Sequence, residues 1–205
     1  DISLFFTRRR NEHIGGQIAP DGLPFVDIFI SYFENGKWTK AQSIGDNINT
    51  AGHEASIGLS VDGQTLYIYI DDYGDGNIYE SKLKGDSWSK PVKLSDNVNT
   101  KNWEPSASIS SDGNYLYFTS DRADGLGGSD IWVSKKLPNG DWSLPTNLGP
   151  NINTSFDEDA PFIHPDGKTL YFSSKGHSTM GGYDIFYSVR DEKENGVNPL
   201  TLDIH

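Results

Sequence analysis

The chain contains no cysteine and one methionine among its 205 residues. It therefore has no disulfide framework, no thiolate zinc site and no cysteine nucleophile. This absence assigns no compartment, because a chain without thiols folds equally well under reducing and oxidising conditions. Basic residues are scarce: 17 Lys and Arg stand against 29 Asp and Glu, a formal net charge of -12. A nucleic-acid binder wants the opposite balance, and so does a protein that adheres to an anionic lipid surface. No apolar run approaches the roughly 18 residues that cross a bilayer as a helix. Long stretches without Gly or Pro are missing too. The 22 Gly and 10 Pro are spread evenly, and residues 1–14 are the longest gap between them. Both residue types disfavour helix interiors, so long helices are excluded. A chain of this size makes one domain or two small ones, and burying about 70% of its unfolded surface gives it a core without staples. It starts at Asp1 rather than Met, as a processed or cut chain would.

Aromatic residues are abundant, with 5 Trp, 10 Tyr and 10 Phe. Set between Gly, Asp and Asn turns, they read as strands of an all-β fold. The dominant feature is an internal repeat. Asn47-Ile48-Asn49-Thr50 recurs as Asn97-Val98-Asn99-Thr100 and Asn151-Ile152-Asn153-Thr154, at spacings of 50 and 54. Trp38, Trp88 and Trp142 share those spacings, and so do the dipeptides Asp62-Gly63, Asp112-Gly113 and Asp166-Gly167. Three independent markers with one period define repeats of about 50 residues.

Each repeat reads as four short strands. In the second they are residues 55–60, 65–70 and 77–82, then a strand holding Trp88 and running to Leu94. The third gives 106–109, 115–120, 130–134 and 142–148. The fourth gives 161–164, 169–174, 184–189 and a weaker 197–202, where Val197 replaces Trp. The first repeat begins at its second strand (4–7), continues with 27–31 and Trp38 onward, and lacks a first strand. Asp-Gly between the first two strands of a repeat signals a hairpin, because both residues tolerate positive φ. Four antiparallel strands per unit at this period describe a β-propeller blade. The blades are approximately residues 1–50, 51–100, 101–154 and 155–205, with recurring aromatics filling the space between them. The missing first strand leads us to expect four blades of a larger ring.

The run from Ser110 to Arg122 (Ser-Ser-Asp-Gly-Asn-Tyr-Leu-Tyr-Phe-Thr-Ser-Asp-Arg) resembles the repeat of TolB-type, WD-like β-propellers, as does His164-Pro165-Asp166-Gly167 through Ser174. A longer pattern is more specific: Gly127-Gly128-Ser129-Asp130-Ile131-Trp132, then Trp142-Ser143-Leu144-Pro145-Thr146-Asn147-Leu148, then the Asn-x-Asn-Thr motif. This combination is similar to the propellers of Gram-negative envelope lipoproteins. There the propeller is often joined to helical repeats and to an OmpA-like peptidoglycan-binding domain, and some members belong to a protein-secretion and gliding apparatus. The resemblance covers residues 2–189. It implies a non-enzymatic scaffold of the periplasm and outer membrane, with envelope protein partners. Peptidoglycan would be reached only through a domain that this chain does not carry. The resemblance supplies no catalytic residues and no cofactor.

Several constellations carry chemistry of their own. Glu54, Glu104 and Glu158 each follow a motif Thr by four residues. They could ring a channel mouth and attract a cation or a basic segment, or each could accept backbone N–H groups at its own blade junction. His53 and Trp103 precede two of them. Arg10 and Arg122 stand in equivalent positions after the second strand, and Arg8-Arg9-Arg10 is a basic spot on an acidic chain. We take Glu54, Glu104, Glu158, Trp103, Arg10 and Arg122 as candidate partner-binding residues. The loops between the second and third strands (residues 8–27, 71–76, 121–129 and 175–183) form a candidate specificity surface. Residues 71–77 and 121–130 are acidic, Gly-containing loops that could suit calcium, although neither matches the twelve-residue pattern. The five histidines show no metal-ligand spacing. Two rival functions remain: a glycan- or small-ligand-binding propeller using Trp103 and Glu104, and a glycoside hydrolase using Glu158 or Asp159.

Overall fold

The computed structural model describes residues 2–9, 25–71 and 76–190. It has no helix among them and sixteen strands in four antiparallel sheets, one per repeat. The first sheet holds β1 (Ile2–Arg9), β2 (Val26–Glu34), β3 (Lys37–Trp38) and β4 (Gln42–Ser43). The second holds β5 (Glu54–Leu59), β6 (Thr65–Ile70), β7 (Asn77–Lys84), β8 (Ser87–Trp88) and β9 (Val92–Lys93). The third holds β10 (Ala107–Ile109), β11 (Tyr115–Ser120), β12 (Asp130–Lys135) and β13 (Thr146–Asn147). The fourth holds β14 (Glu158–Ile163), β15 (Thr169–Ser174) and β16 (Asp184–Val189). These are the blades of a β-propeller. The first lacks its innermost strand, as its sequence indicated. The expected last strand at residues 197–202 lies outside the described residues.

The outermost strand of each blade is short and interrupted. β3 and β4 both pair with β2, and β8 and β9 both pair with β7. In the third blade an isolated bridge from Lys136 to Trp142 precedes β13. Pro91 and Pro145 follow their Trp by three residues and cannot donate to a ladder. A serine on the third strand compensates in each case by donating to the carbonyl at the break: Ser31 to Thr39 at 2.7 Å, Ser81 to Ser89 at 2.6 Å, and Ser134 to Ser143.

The hairpins form at the Asp-Gly positions, but only the glycine takes positive φ: Gly63, Gly113 and Gly167 lie near +70°. Each closes a four-residue turn by donating its N–H to the carbonyl of Ser60, Ser110 or His164. The aspartate accepts instead, from the N–H two residues on, at Gln64, Asn114 and Lys168. This is an Asx-turn and not the two-residue turn in which both positions have φ > 0.

The chain divides into two compact units. One is Asp1–Gly74 with Tyr79–Lys93, and the other Asp75–Ile78 with Leu94–His205. The core of the first joins Ile28 and Ile48 of the first blade to Leu66, Ile68 and Trp88 of the second, with Phe5 packed against it. Phe5 meets Trp88 edge-on at 6.2 Å. The core of the second joins Tyr117, Ile131, Leu148 and Ile152 to Ile163, Leu170, Phe172 and Phe186. Aromatics therefore do fill the space between blades within each unit. Trp88 and Trp142 are buried, whereas Trp38 is exposed and packs on Phe33.

Hydrogen bonds from Ser60 and the Gln64 amide hold the Asp62 carboxyl below the usual carboxylate range. Ser110 with the Asn114 amide does the same for Asp112, and the Thr169 and Lys168 amides for Asp166. A depressed carboxylate pKa stabilises the fold above the unfolded value and ceases to do so as pH falls through the folded one. The melting temperature should therefore fall steadily from about pH 4 downward, and Asp166→Asn should lower it at pH 7 while flattening that decline. A scanning calorimetry series in pH would check both.

Candidate functional site

Between the last strand of one blade and the first strand of the next, the Asn-x-Asn-Thr motif gives each position a separate task. The motif opens within one turn of helix-like chain, with Ile48, Val98 and Ile152 donating to the carbonyls of Gly45, Ser95 and Gly149. The first Asn reaches forward: Asn47 Nδ2 donates to the Trp88 carbonyl and Asn97 Nδ2 to the Trp142 carbonyl, each at 2.7 Å. Ile48, Val98 and Ile152 are wholly buried, and Ile48 and Ile152 lie in the cores that join blades within their units. The second Asn lies against the third strand of its own blade. Asn99 Oδ1 accepts from the Ile78 N–H at 2.8 Å while Nδ2 donates to the Ile78 carbonyl at 2.8 Å. Asn49 pairs with Ile28 and Asn153 with Ile131 in the same way. An amide side chain offers one donor and one acceptor side by side, so it replaces a neighbouring strand at that point.

Thr and Glu complete the crossing. Glu54, Glu104 and Glu158 are fully buried. Their Oε2 atoms accept the N–H of Thr50, Thr100 and Thr154 at 3.1, 3.0 and 2.7 Å. Their Oε1 atoms accept the threonine hydroxyls, at 2.9 Å for Glu104 and 2.8 Å for Glu158, with Thr50 and Glu54 also paired. Ser120 and Ser174 add a hydroxyl to Glu104 and Glu158 at 2.7 and 2.6 Å. Each carboxylate thus accepts backbone and hydroxyl protons at its own blade junction, the second of the two roles open to it in the sequence.

Arg122 is a further, largely covered member of this junction. Its guanidinium donates to the carbonyls of Asn97 and Val98, lies 3.4 Å from Glu104 Oε1, and packs over the rings of Phe118 and Trp132 at 4.8 and 5.4 Å. Burial pulls its pKa down, while the Glu104 charge pulls it back up. Arg10 lies outside the described residues. In the fourth blade the equivalent position is Gly176, where a Cβ would fall 2.6 Å from Thr154 Cβ. No larger residue fits there. The next residue takes over: His177 Nε2 lies 2.9 Å from the Ile152 carbonyl, and its ring packs on Phe172 and Phe186 at 5.8 and 5.2 Å. The sequence alone suggested no role for His177. The signal was its one-residue offset from the place of Arg122.

Trp103 differs from the other candidates in being exposed. It precedes Glu104, and Asp121 Oδ1 accepts its N–H at 2.7 Å. His53, Trp103 and Asp157 occupy equivalent positions, and their carbonyls accept the N–H of Asp71, Asp121 and Lys175. One backbone frame therefore carries three different side chains. His53 packs against Phe25 at 4.6 Å. Asp157 pairs with Lys175 at 2.8 Å, which lies over the Tyr183 ring at 4.6 Å. The neighbouring loops add exposed Leu126, Phe156, Met180 and Tyr183.

The acidic loops are occupied by their own amides where they are described. Asp130 accepts the N–H groups of Leu126 and Gly127 and the amide of Asn147. Among the described residues no group of three His, Asp or Glu could hold a metal ion. Loop residues 72–75 lie outside them. Asp159 Oδ1 accepts the Ser106 hydroxyl and the Ala160 N–H, both at 2.6 Å, beside a bulge that holds Ala160 at φ +51°.

No family model matches the chain, and no curated protein matches it. Solved structures do. TolB from Acinetobacter baumannii superposes with a TM-score of 0.55 at 13% identity, over 97% of this chain and 40% of that one. An α-L-arabinofuranosidase from Lactobacillus brevis gives 0.57 at 10% identity, over 98% and 71%. A chain of a nidogen/laminin complex gives 0.56 at 14%, over 91% and 57%. At these identities the likeness establishes the β-propeller class and nothing finer. The chain spans about half the length of the nidogen/laminin and TolB chains it matches.

Replacing Asn99 by Ala would orphan the buried Ile78 N–H and leave the Ile78 carbonyl with the Leu94 N–H alone, and should cost about 1–3 kcal/mol in thermal or urea unfolding. Arg122→Met leaves the Glu104 charge buried without its cation and should cost about 3 kcal/mol. Adding Glu104→Gln should recover part of that loss, a coupling that a double-mutant cycle would measure.

Proposed function

We propose that this chain is a non-enzymatic binding module of the cell envelope, presenting the rim of its inter-strand loops to a protein partner. One observation carries the reading. Trp103, Leu126, Phe156, Met180 and Tyr183 are all exposed, and all stand at one end of the second unit, where the blades' first strands begin and their second strands end. Scattered exposed apolar residues need no explanation, but a cluster at one end is the mark of an interface. Its backbone is fixed by the buried Asn, Thr and Glu junctions, so ordering it on binding costs little. Lys175 and Asp157 lie beside it as a polar border.

The location is the periplasm, in association with the outer membrane, where the resemblance to envelope propellers points. A part in a secretion or gliding assembly fits the same resemblance. Contact with peptidoglycan would come through another domain. A second reading, a glycan or small-ligand site, rests on the exposed indole of Trp103, a platform on which a sugar ring can stack. Oligosaccharides would then raise the melting temperature by several degrees, and aryl glycosides would turn over only if the site also hydrolyses.

The glutamates are buried, so the decisive variants belong on the rim. Immobilised chain should retain a reproducible set of proteins from detergent-solubilised envelope, and Trp103→Asp with Phe156→Asp should reduce them at least about tenfold. An eluate identical to that of bare resin, or one indifferent to the double variant, would overturn the reading.

A further inference from the structure

Blades join within each unit by one recurring interface, and the fourth blade carries one half of it uncovered. In the first unit, Phe5 and Ile28 of the first blade meet Leu66 and Ile68 of the second. In the second unit, Tyr117 and Ile131 of the third blade meet Leu170 and Phe172 of the fourth. The donor half is thus an aromatic on the second strand with an Ile near the start of the third. The receiving half is Leu-x-(Ile or Phe) on the second strand of the next blade.

Tyr171 and Ile185 repeat Tyr117 and Ile131 at the spacing of 54. Ile131 is fully buried, but Ile185 is 80% exposed. Tyr117 is 8% exposed and Tyr171 39%. Strand register sets Phe162 opposite Tyr171 and Tyr171 opposite Tyr187, with ring centroids 6.3 and 5.9 Å apart. Phe162 and Val189 are exposed on the same blade. The complementary half lies on the first blade. Leu4 and Phe6 stand where Leu66-x-Ile68 and Leu170-x-Phe172 stand in theirs, and Leu4 is 48% exposed, with exposed Ile2 beside it on that face.

We propose that copies of this chain associate head to tail, the first blade of one seated on the fourth blade of the next, through the side-chain classes that already join blades within each unit. Both halves are present on one chain, and a donor half meets its complement only on a different face, so the contact is heterologous. This inference does not rest on the binding reading above. The net charge of -12 opposes approach of two copies, so association strengthens as salt screens it.

Sedimentation equilibrium of the full chain tests it. Mass should rise with protein concentration up to about 200 µM, and more in roughly 0.5 M salt than in roughly 0.05 M. Ile185→Glu and Leu4→Glu should each be monomeric. Mixed, they should form a 1:1 complex, because each keeps the half that the other has lost. Both positions are exposed, and melts of each variant establish that it folds; Ile185→Ser and Leu4→Ser serve if a glutamate prevents folding. A wild-type monomer at every concentration would overturn the proposal. So would either single variant associating by itself, or a mixture that stays monomeric.

Discussion

The two-point contact of Asn49, Asn99 and Asn153 with the backbone of the third strand carries much of the rest. At Ile28, Ile78 and Ile131 the strand has a buried N–H that donates to the Asn amide, while the carbonyl shares the amide's donor with the N–H of Ile44, Leu94 or Leu148. Leaving such an N–H unpartnered costs about 1–3 kcal/mol, so the crossing chain must pass where an amide can reach it. That requirement sets the position of the loop. With it set, the preceding Ile or Val is buried, and the following Thr falls where the buried Glu can accept hydrogen bonds from its N–H and its hydroxyl. β5 and β14 then start from that Glu, and β10 starts three residues after it.

Much of this was legible as period and little of it as role. The spacings of 50 and 54 gave blades, hairpins and strands, and β6, β11 and β15 lie where the aromatic alternation put them. The turns also formed, by a different route: aspartate served as a side-chain acceptor, and only glycine adopted positive φ. The carboxylates show why role is harder to read. A Glu four residues after a Thr looks the same whether it faces a channel or turns back on its own loop. The difference lies in whether nearby donors exist to replace water, and those donors are hydroxyls and backbone N–H groups, the latter carried by every residue but proline. Arg122 concealed its role for a related reason: its partners are two carbonyls and two rings, none of which its local sequence announces.

Comparison of the third and fourth blades shows what the junction requires. Arg122 and His177 differ in position, size and charge, yet both reach the carbonyl of the buried Val98 or Ile152 while packing on an aromatic pair. The constant requirement is a planar donor between two rings. In the fourth blade Glu158 accepts hydrogen bonds from Thr154 and Ser174, with Gly176 in the place of the arginine. The pair Arg122–Glu104 is one solution to a steric and hydrogen-bonding problem that the next blade solves with the His177 imidazole.

The division of labour between backbone and side chain explains how a rigid repeat can still offer a variable surface. Thr154 and Phe156 lie so close to Gly127 and Gly176 that any Cβ at either glycine would overlap them. At Gly127 the loop packs main chain to main chain on the crossing segment, and at Gly176 its main chain packs on the Thr154 side chain. Side chains at Trp103, Phe156 and Met180 are not needed for that packing, because the hydrogen bonds that place their backbones belong to other residues. Such positions can change identity without disturbing the junction beneath them. The same logic applies to the blade faces with opposite effect. There the side chains are the packing, so Tyr171 and Ile185 keep the identities of a covered face even where they stand open.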